Sequence, residues 1–285
     1  MGPNRKTPAV PQATRSSCTG PGRASIRVLG VAVGGRSIVA LMDVAMKAET
    51  ITITGAGGAE IEAYLAQPLT PGHYGGVVVI HHMPGYDEAT KEITRRFAAH
   101  GYLAICPNLY YREAPGASPD DAAATARAAG GVPDDRLVGD VDGATQYLKS
   151  LPGSNGKVAV IGYCSGGRQA FLAGCRLQLD AVVDCYGAFV VATPPQGSSM
   201  EPILHLSPQL SAPLLGLFGA EDGYPSPDEV AQLEAALKEN NKPYEIHSFE
   251  NAGHAFFAND RPSYRVEAAN AGWAAIWAFF GEHMA

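Results

Sequence analysis

The stretch "IGYCSGGRQA", Ile161 to Ala170, sets a thiol and a hydroxyl side by side between glycines. With the apolar run before it, it reads as G-x-C-x-G at a strand-to-helix turn, where a nucleophile is held strained and exposed above a sheet. The chain doubles back there, so the residues two before and two after the nucleophile must be very small. Around Cys164 these are Gly162 and Gly166; around Ser165 they would be Tyr163 and Gly167. Tyr163 is far too large, and the sterics select the thiol. The helix that follows directs its positive end at the sulfur and favours the thiolate.

A thiol nucleophile needs a base, and the base needs an acid to orient it. Downstream, "PLLGLFGAEDGYP" puts Asp222 just past an apolar run, and "YEIHSFENAGHAFF" puts His254 in a Gly-flanked loop past the last one. Glu221 adjoins Asp222, and Asp184 closes the preceding strand pattern; Asp222 is the favoured acid and Asp184 reads as a structural hydrogen-bonding group. His73, His100, His205, His247 and His283 lack a strand-end position with a matching partner. His81 and His82 are adjacent, so on a strand they point to opposite faces and make a poor metal pair. No metal site is expected from them.

These side chains need a scaffold that brings strand ends together. "ETITITG" and "AEIEAYLAQP" alternate with period two and read as an opening antiparallel pair. From there the chain alternates buried strands such as "GGVVVIHH", "LAICPNL" and "DAVVDCYG" with amphipathic helices such as "DEATKEITRRFAAHGY". Residues 118–130 read as an Ala-rich helix, 193–211 as a long Pro- and Ser-rich connection, and a C-terminal helix starts near Pro262. Repeated strand–helix units predict an α/β fold: a mainly parallel sheet of about eight strands, helices on both faces and no cap domain. Ligands then sit at the carboxyl ends of the strands.

Composition narrows the class. The 285 residues are 46% hydrophobic and 17% charged with a net charge of −7, which disfavours nucleic acid and anionic membranes as partners. Five cysteines (Cys18, Cys106, Cys164, Cys175, Cys185) show neither CxxC nor zinc spacing, so a reducing cytoplasmic setting is expected. Residues 1–45 hold six basic residues against one acid, with many Pro, Gly, Ser and Thr. They read as a disordered extension, upstream of a possible start at Met46, and the domain proper as 46–285.

At this point the chain resembles the dienelactone hydrolase family, a cysteine branch of the α/β-hydrolases. The resemblance runs from about Ala48 to the C-terminus through "VVVIHHMPGYDEATKEITRRFAAHGY", "AICPNLYYREAPG", "VIGYCSGG", "LFGAED" and "GHAFF". It implies the α/β-hydrolase fold, a Cys164–His254–Asp222 triad and hydrolysis of a small lactone or ester through an acyl-thiol, without metal or cofactor. It also implies an oxyanion hole made by the backbone N–H of Ser165 and of Met83, since Pro84 has none.

Two departures stand out. The family has a glutamate where this chain has His82, which leaves accepting the thiol proton, donating to substrate, or packing as its roles. Arg112 matches a family arginine that holds a substrate carboxylate, but the second such arginine is replaced by Ala258, with Arg261 nearby. Tyr110, Tyr111, Tyr186 and Phe256 are candidates for an aromatic pocket. The reading is therefore a lactone or ester hydrolase, acting as a monomer or small homo-oligomer on a small molecule. Its rivals are a general carboxylesterase or thioesterase, and a non-catalytic binding or sensing protein on the same fold.

Overall fold

The β-branched and apolar runs become the strands of one eight-stranded sheet in the computed structural model, which describes residues 46–285 except Pro195 and Ser199. The sequence expectation for residues 1–45 falls outside the described residues. The strands are β1 (Met46–Thr54), β2 (Glu60–Pro68), β3 (Tyr74–Ile80), β4 (Leu103–Pro107), β5 (Ser154–Tyr163), β6 (Ala181–Cys185), β7 (Leu214–Gly219) and β8 (Tyr244–Phe249). Their order is β1-β2-β4-β3-β5-β6-β7-β8. β1 pairs with β2, and β2 with β4, in antiparallel fashion; every later pair is parallel.

Six α-helices cover the sheet: α1 (Glu88–Ala99), α2 (Pro119–Ala128), α3 (Asp134–Ser150), α4 (Ser165–Arg176), α5 (Pro227–Glu239) and α6 (Val266–His283). Two apolar cores result. One packs α2, α3, α4 and α5 against Val78, Ile80, Val158, Val160 and their neighbours. The other, on the opposite face, packs α1 and α6 through Phe97, Trp273, Ile276 and Phe280 against Val77, Val79, Ile161 and Leu217. Successive β3 residues alternate between the cores, which is why "GGVVVI" reads as continuous apolar sequence: both of its faces are dry.

Helix starts follow their capping chemistry. Asp87 accepts the Thr90 N–H at the start of α1, and Ser226 forms a reciprocal capping box with Glu229 at the start of α5. One element differs from expectation. The connection over 193–211 carries a short 3-10 helix, Leu204–Gln209, which buries Leu206 and Ser207 against α4 and α5. Its Pro208 masks it in a reading based on helix periodicity. Among the described residues no helix is long and apolar enough to cross a membrane.

Candidate active site

The parallel order sets the ends of β5, β7 and β8 on one rim of the sheet, and Cys164, Asp222 and His254, the residues expected to form a triad, follow them there. Cys164 occupies the turn between β5 and α4 at φ 58 and ψ −122, a region costly for a residue with a Cβ. The strain is held on both sides: its N–H donates to Cys185 O (3.1 Å), and its carbonyl accepts from Gly167 N–H (2.9 Å). The small flanks are required as the sequence argument predicts. A Cβ on Gly162 would collide with the carbonyl of Gly166, and one on Gly166 would lie 2.5 Å from Ile80 O. Gly167 is needed as well, because a Cβ there would strike Asp184 and Gly187.

Asp222 sits just past β7 and is buried. One of its oxygens accepts Tyr224 N–H (2.8 Å); the other accepts from His254 Nδ1 (2.9 Å). The His254 ring packs edge-on against Tyr186, with centroids 5.2 Å apart. Burial disfavours a proton on His254, but the hydrogen bond to Asp222, the neighbouring Cys164 sulfur and the charges of both outweigh it. The result is a pKa raised from 6.5 to about 10. Asp222 and Cys164 thus both act on the imidazole and favour its charged form. Asp184, fully buried under the elbow, accepts Gly187 N–H (2.7 Å), and burial pushes its pKa up to about 7. It fastens the elbow and does not contact His254.

The residues beyond the triad fall into three places. Met83 and Ser165 line one cavity of about 320 Å³ whose other walls include Tyr110, Val132, Phe189 and Met200. The Tyr110 hydroxyl donates to Met83 O (3.0 Å) and so fixes the strand-end turn that carries the Met83 amide. Among the described residues, neither the Ser165 nor the Met83 N–H is taken by an acceptor.

His82 faces a second, smaller cavity of about 40 Å³, together with Tyr163, Tyr186, Phe257 and Ala258. Its Nε2 donates to Asp87 Oδ2 (2.6 Å), a partner that sequence reasoning missed although it lies only five residues on. Burial favours the neutral form of Asp87, but the His82 ring and the Thr90 donors outweigh it and hold the pKa at about 2. His81 turns to the opposite face, where Nδ1 donates to His82 O (2.9 Å) and Nε2 accepts Leu109 N–H (3.3 Å). Burial keeps that ring neutral, with a pKa of about 4.

Three expected substrate contacts lie elsewhere. Arg112 is turned away from the cavity into a two-pronged pair with the fully buried Asp140 (2.7 and 2.8 Å) and also donates to Ala56 O (3.3 Å). Arg112 thus ties the β1–β2 turn to a carboxylate buried on α3. Tyr111 packs against the α3 core, and Phe256 is wholly buried beneath the His254 loop, stacked near Phe257 and Tyr186. Both are wall packing. Tyr186, also buried, serves as the support of the His254 ring.

Residues 61–284 match the dienelactone hydrolase family. The chain belongs to that family. A curated relative from Salmonella typhimurium, "Putative carboxymethylenebutenolidase", is 34% identical over 239 residues, covering 82% of this chain and 87% of the relative. The "Carboxymethylenebutenolidase" of Pseudomonas putida is 30% identical over 199 residues, 68% of this chain and 79% of that one. A solved structure, "Putative Dienelactone Hydrolase" from Klebsiella pneumoniae subsp. pneumoniae MGH 78578, superposes with a TM-score of 0.74 at 30% identity. It spans 83% of this chain and 99% of its own. Membership in the dienelactone hydrolase family accounts for the sheet order, the helices on both faces and the placement of the elbow. Within that family frame, His82 paired to Asp87 and Ala258 on the wall of the same cavity are features of this chain.

Proposed function

We infer that this dienelactone hydrolase family member cleaves small esters or lactones by nucleophilic catalysis at Cys164. The observation that carries this reading is that buried Asp222 holds His254 through Nδ1 while Cys164 bears electrostatically on the same ring. The Cys164 thiolate attacks the carbonyl carbon and a C–S bond forms. The oxyanion is met by the amides of Ser165 and Met83, which have no competing acceptor among the described residues. The C–O bond then breaks and the leaving oxygen takes the proton from His254. Water next attacks the thioester, giving its proton to His254; the C–S bond breaks, the thiolate is restored and a carboxylic acid departs.

A second reading, general esterase action without lactone preference, is favoured by the commitment of Arg112 to Asp140 and by Ala258. Turnover of a dienelactone and of p-nitrophenyl acetate by wild type and Cys164→Ala decides between them. Loss of both activities in Cys164→Ala is expected, by at least about 10⁴-fold. An equally active Cys164→Ala would overturn nucleophilic catalysis by the thiol, and turnover of the acetate alone would leave the esterase reading.

A further inference from the structure

The cavity beside the elbow holds one cation among its described lining residues, Arg127, in the last turn of α2. Arg95, Arg96, Arg112, Arg136 and Arg168 are each ion-paired to a carboxylate. Arg127 is exposed, and its guanidinium has neither an ion-pair nor a hydrogen-bond partner among the described residues. The walls around it are mainly apolar, with Ala126, Val132, Phe189 and Met200; Gln169, Gln196, Ser198, Ser165 and Tyr110 add uncharged amides and hydroxyls. Tyr110 lines the same space. Its hydroxyl fixes Met83 at one end and feels the charges of both Arg127 and Cys164. A ligand with its carbonyl on the Ser165 and Met83 amides would therefore extend along apolar wall toward a guanidinium whose planar fork matches a carboxylate.

We propose that Arg127 is the specificity determinant of the acyl site and selects acyl groups ending in a carboxylate, such as half-esters of short dicarboxylic acids. This rests on Cys164-dependent ester cleavage. It moves anion recognition from the Arg112 position, which is spent on Asp140, to α2.

The test compares p-nitrophenyl monoesters of succinate, glutarate and adipate with the neutral p-nitrophenyl esters of the same acyl length. The readout is the ratio of kcat/KM, anionic over neutral, in wild type, Arg127→Gln, Arg127→Lys and Arg127→Glu. For the best chain length the ratio should fall at least about tenfold in Arg127→Gln, the worth of one charge-assisted hydrogen bond, chiefly through KM. It should fall further in Arg127→Glu and recover in part in Arg127→Lys. In wild type it should also decline with added salt. A ratio that stays within twofold of wild type in Arg127→Gln at all three lengths overturns the proposal while leaving ester cleavage intact. Calorimetric binding of free glutarate supplies a readout independent of turnover: weaker binding in Arg127→Gln is expected, and equal binding by both proteins overturns it. Retention of full turnover in Cys164→Ala is the separate result that sinks the catalytic reading instead.

Discussion

His254 donates from Nδ1 to Asp222 Oδ2 across 2.9 Å, and that single bond decides which way the imidazole faces. Asp222 is itself fixed by Tyr224 N–H, so the ring is oriented by a carboxylate with no freedom to swing. The orientation and the charge act together, because the same carboxylate that aims the ring also holds its proton.

The first prediction concerns that proton. The folded pKa of His254, about 10, lies above its ordinary 6.5, so the stabilisation it brings is complete below pH 6.5 and is lost as pH rises through 10. The difference in urea stability between wild type and His254→Ala should therefore shrink steadily from pH 6.5 to 10. Asp222→Asn should bring the His254 titration, followed by its ring proton resonances, back down toward the ordinary range. The same variant should lower kcat on the order of 10²–10⁴-fold. A His254 signal titrating near 6.5 in wild type would contradict the relay.

The elbow is intolerant of a single methyl. Gly162→Ala pushes a Cβ onto the Gly166 carbonyl, and neither backbone can retreat without moving Cys164. A stability loss of roughly 1–3 kcal/mol is expected, together with a lowered kcat, measured by denaturant unfolding and steady-state kinetics. Wild-type values for both would show that the turn can accommodate a methyl group.

Arg112 offers the opposite pattern. Removing it strands the fully buried carboxylate of Asp140 with little besides the Ala56 N–H at 2.8 Å. Arg112→Ala should lose about 3 kcal/mol of stability, whereas KM for anionic esters should stay near wild type. A raised KM at unchanged stability would restore the clamp role implied by the family resemblance.

The His82–Asp87 pair makes a pH-dependent prediction of its own. Asp87 is depressed to about 2 from 3.8, so its contribution is complete above pH 3.8 and lost as pH falls through 2. Replacing His82 with the family's acid would set two carboxylates in contact where a 2.6 Å hydrogen bond now stands. His82→Glu should be destabilised at pH 7, and the double variant His82→Glu/Asp87→Asn should recover most of the loss in thermal or urea unfolding. Equal stability of single and double variants would mean that the pair contributes nothing.

Much of this architecture is legible in one sequence because backbone geometry leaves local marks. The spacing of Gly162 and Gly166 reports a turn that closes on itself, and alternating or continuous apolar runs report strands with one dry face or two. Cys164, Asp222 and His254 are readable together because each follows a strand pattern. Partner choice is less legible. Arg112 finds Asp140 twenty-eight residues later, and only the docking of α3 against the β1–β2 turn brings them together. Arg127 stands in an alanine-rich helix whose sequence carries no hint of a cavity beneath it. Phe256 and Tyr111 look like pocket aromatics until the two cores claim them.

The sheet order divides labour across the molecule. The groups proposed to react hang from β5, β7 and β8, while the cavity is walled largely by chain that follows β3 and β4, by α2, and by the stretch around Met200. Buried Arg168 moors that last stretch to the elbow helix, gripping Asp134 and the Glu201 carbonyl at once. The reacting half and the choosing half thus meet along one seam. Transplanting residues 108–132 from a relative would be expected to exchange appetite without retuning the engine, so new substrates can be acquired by exchange of a wall.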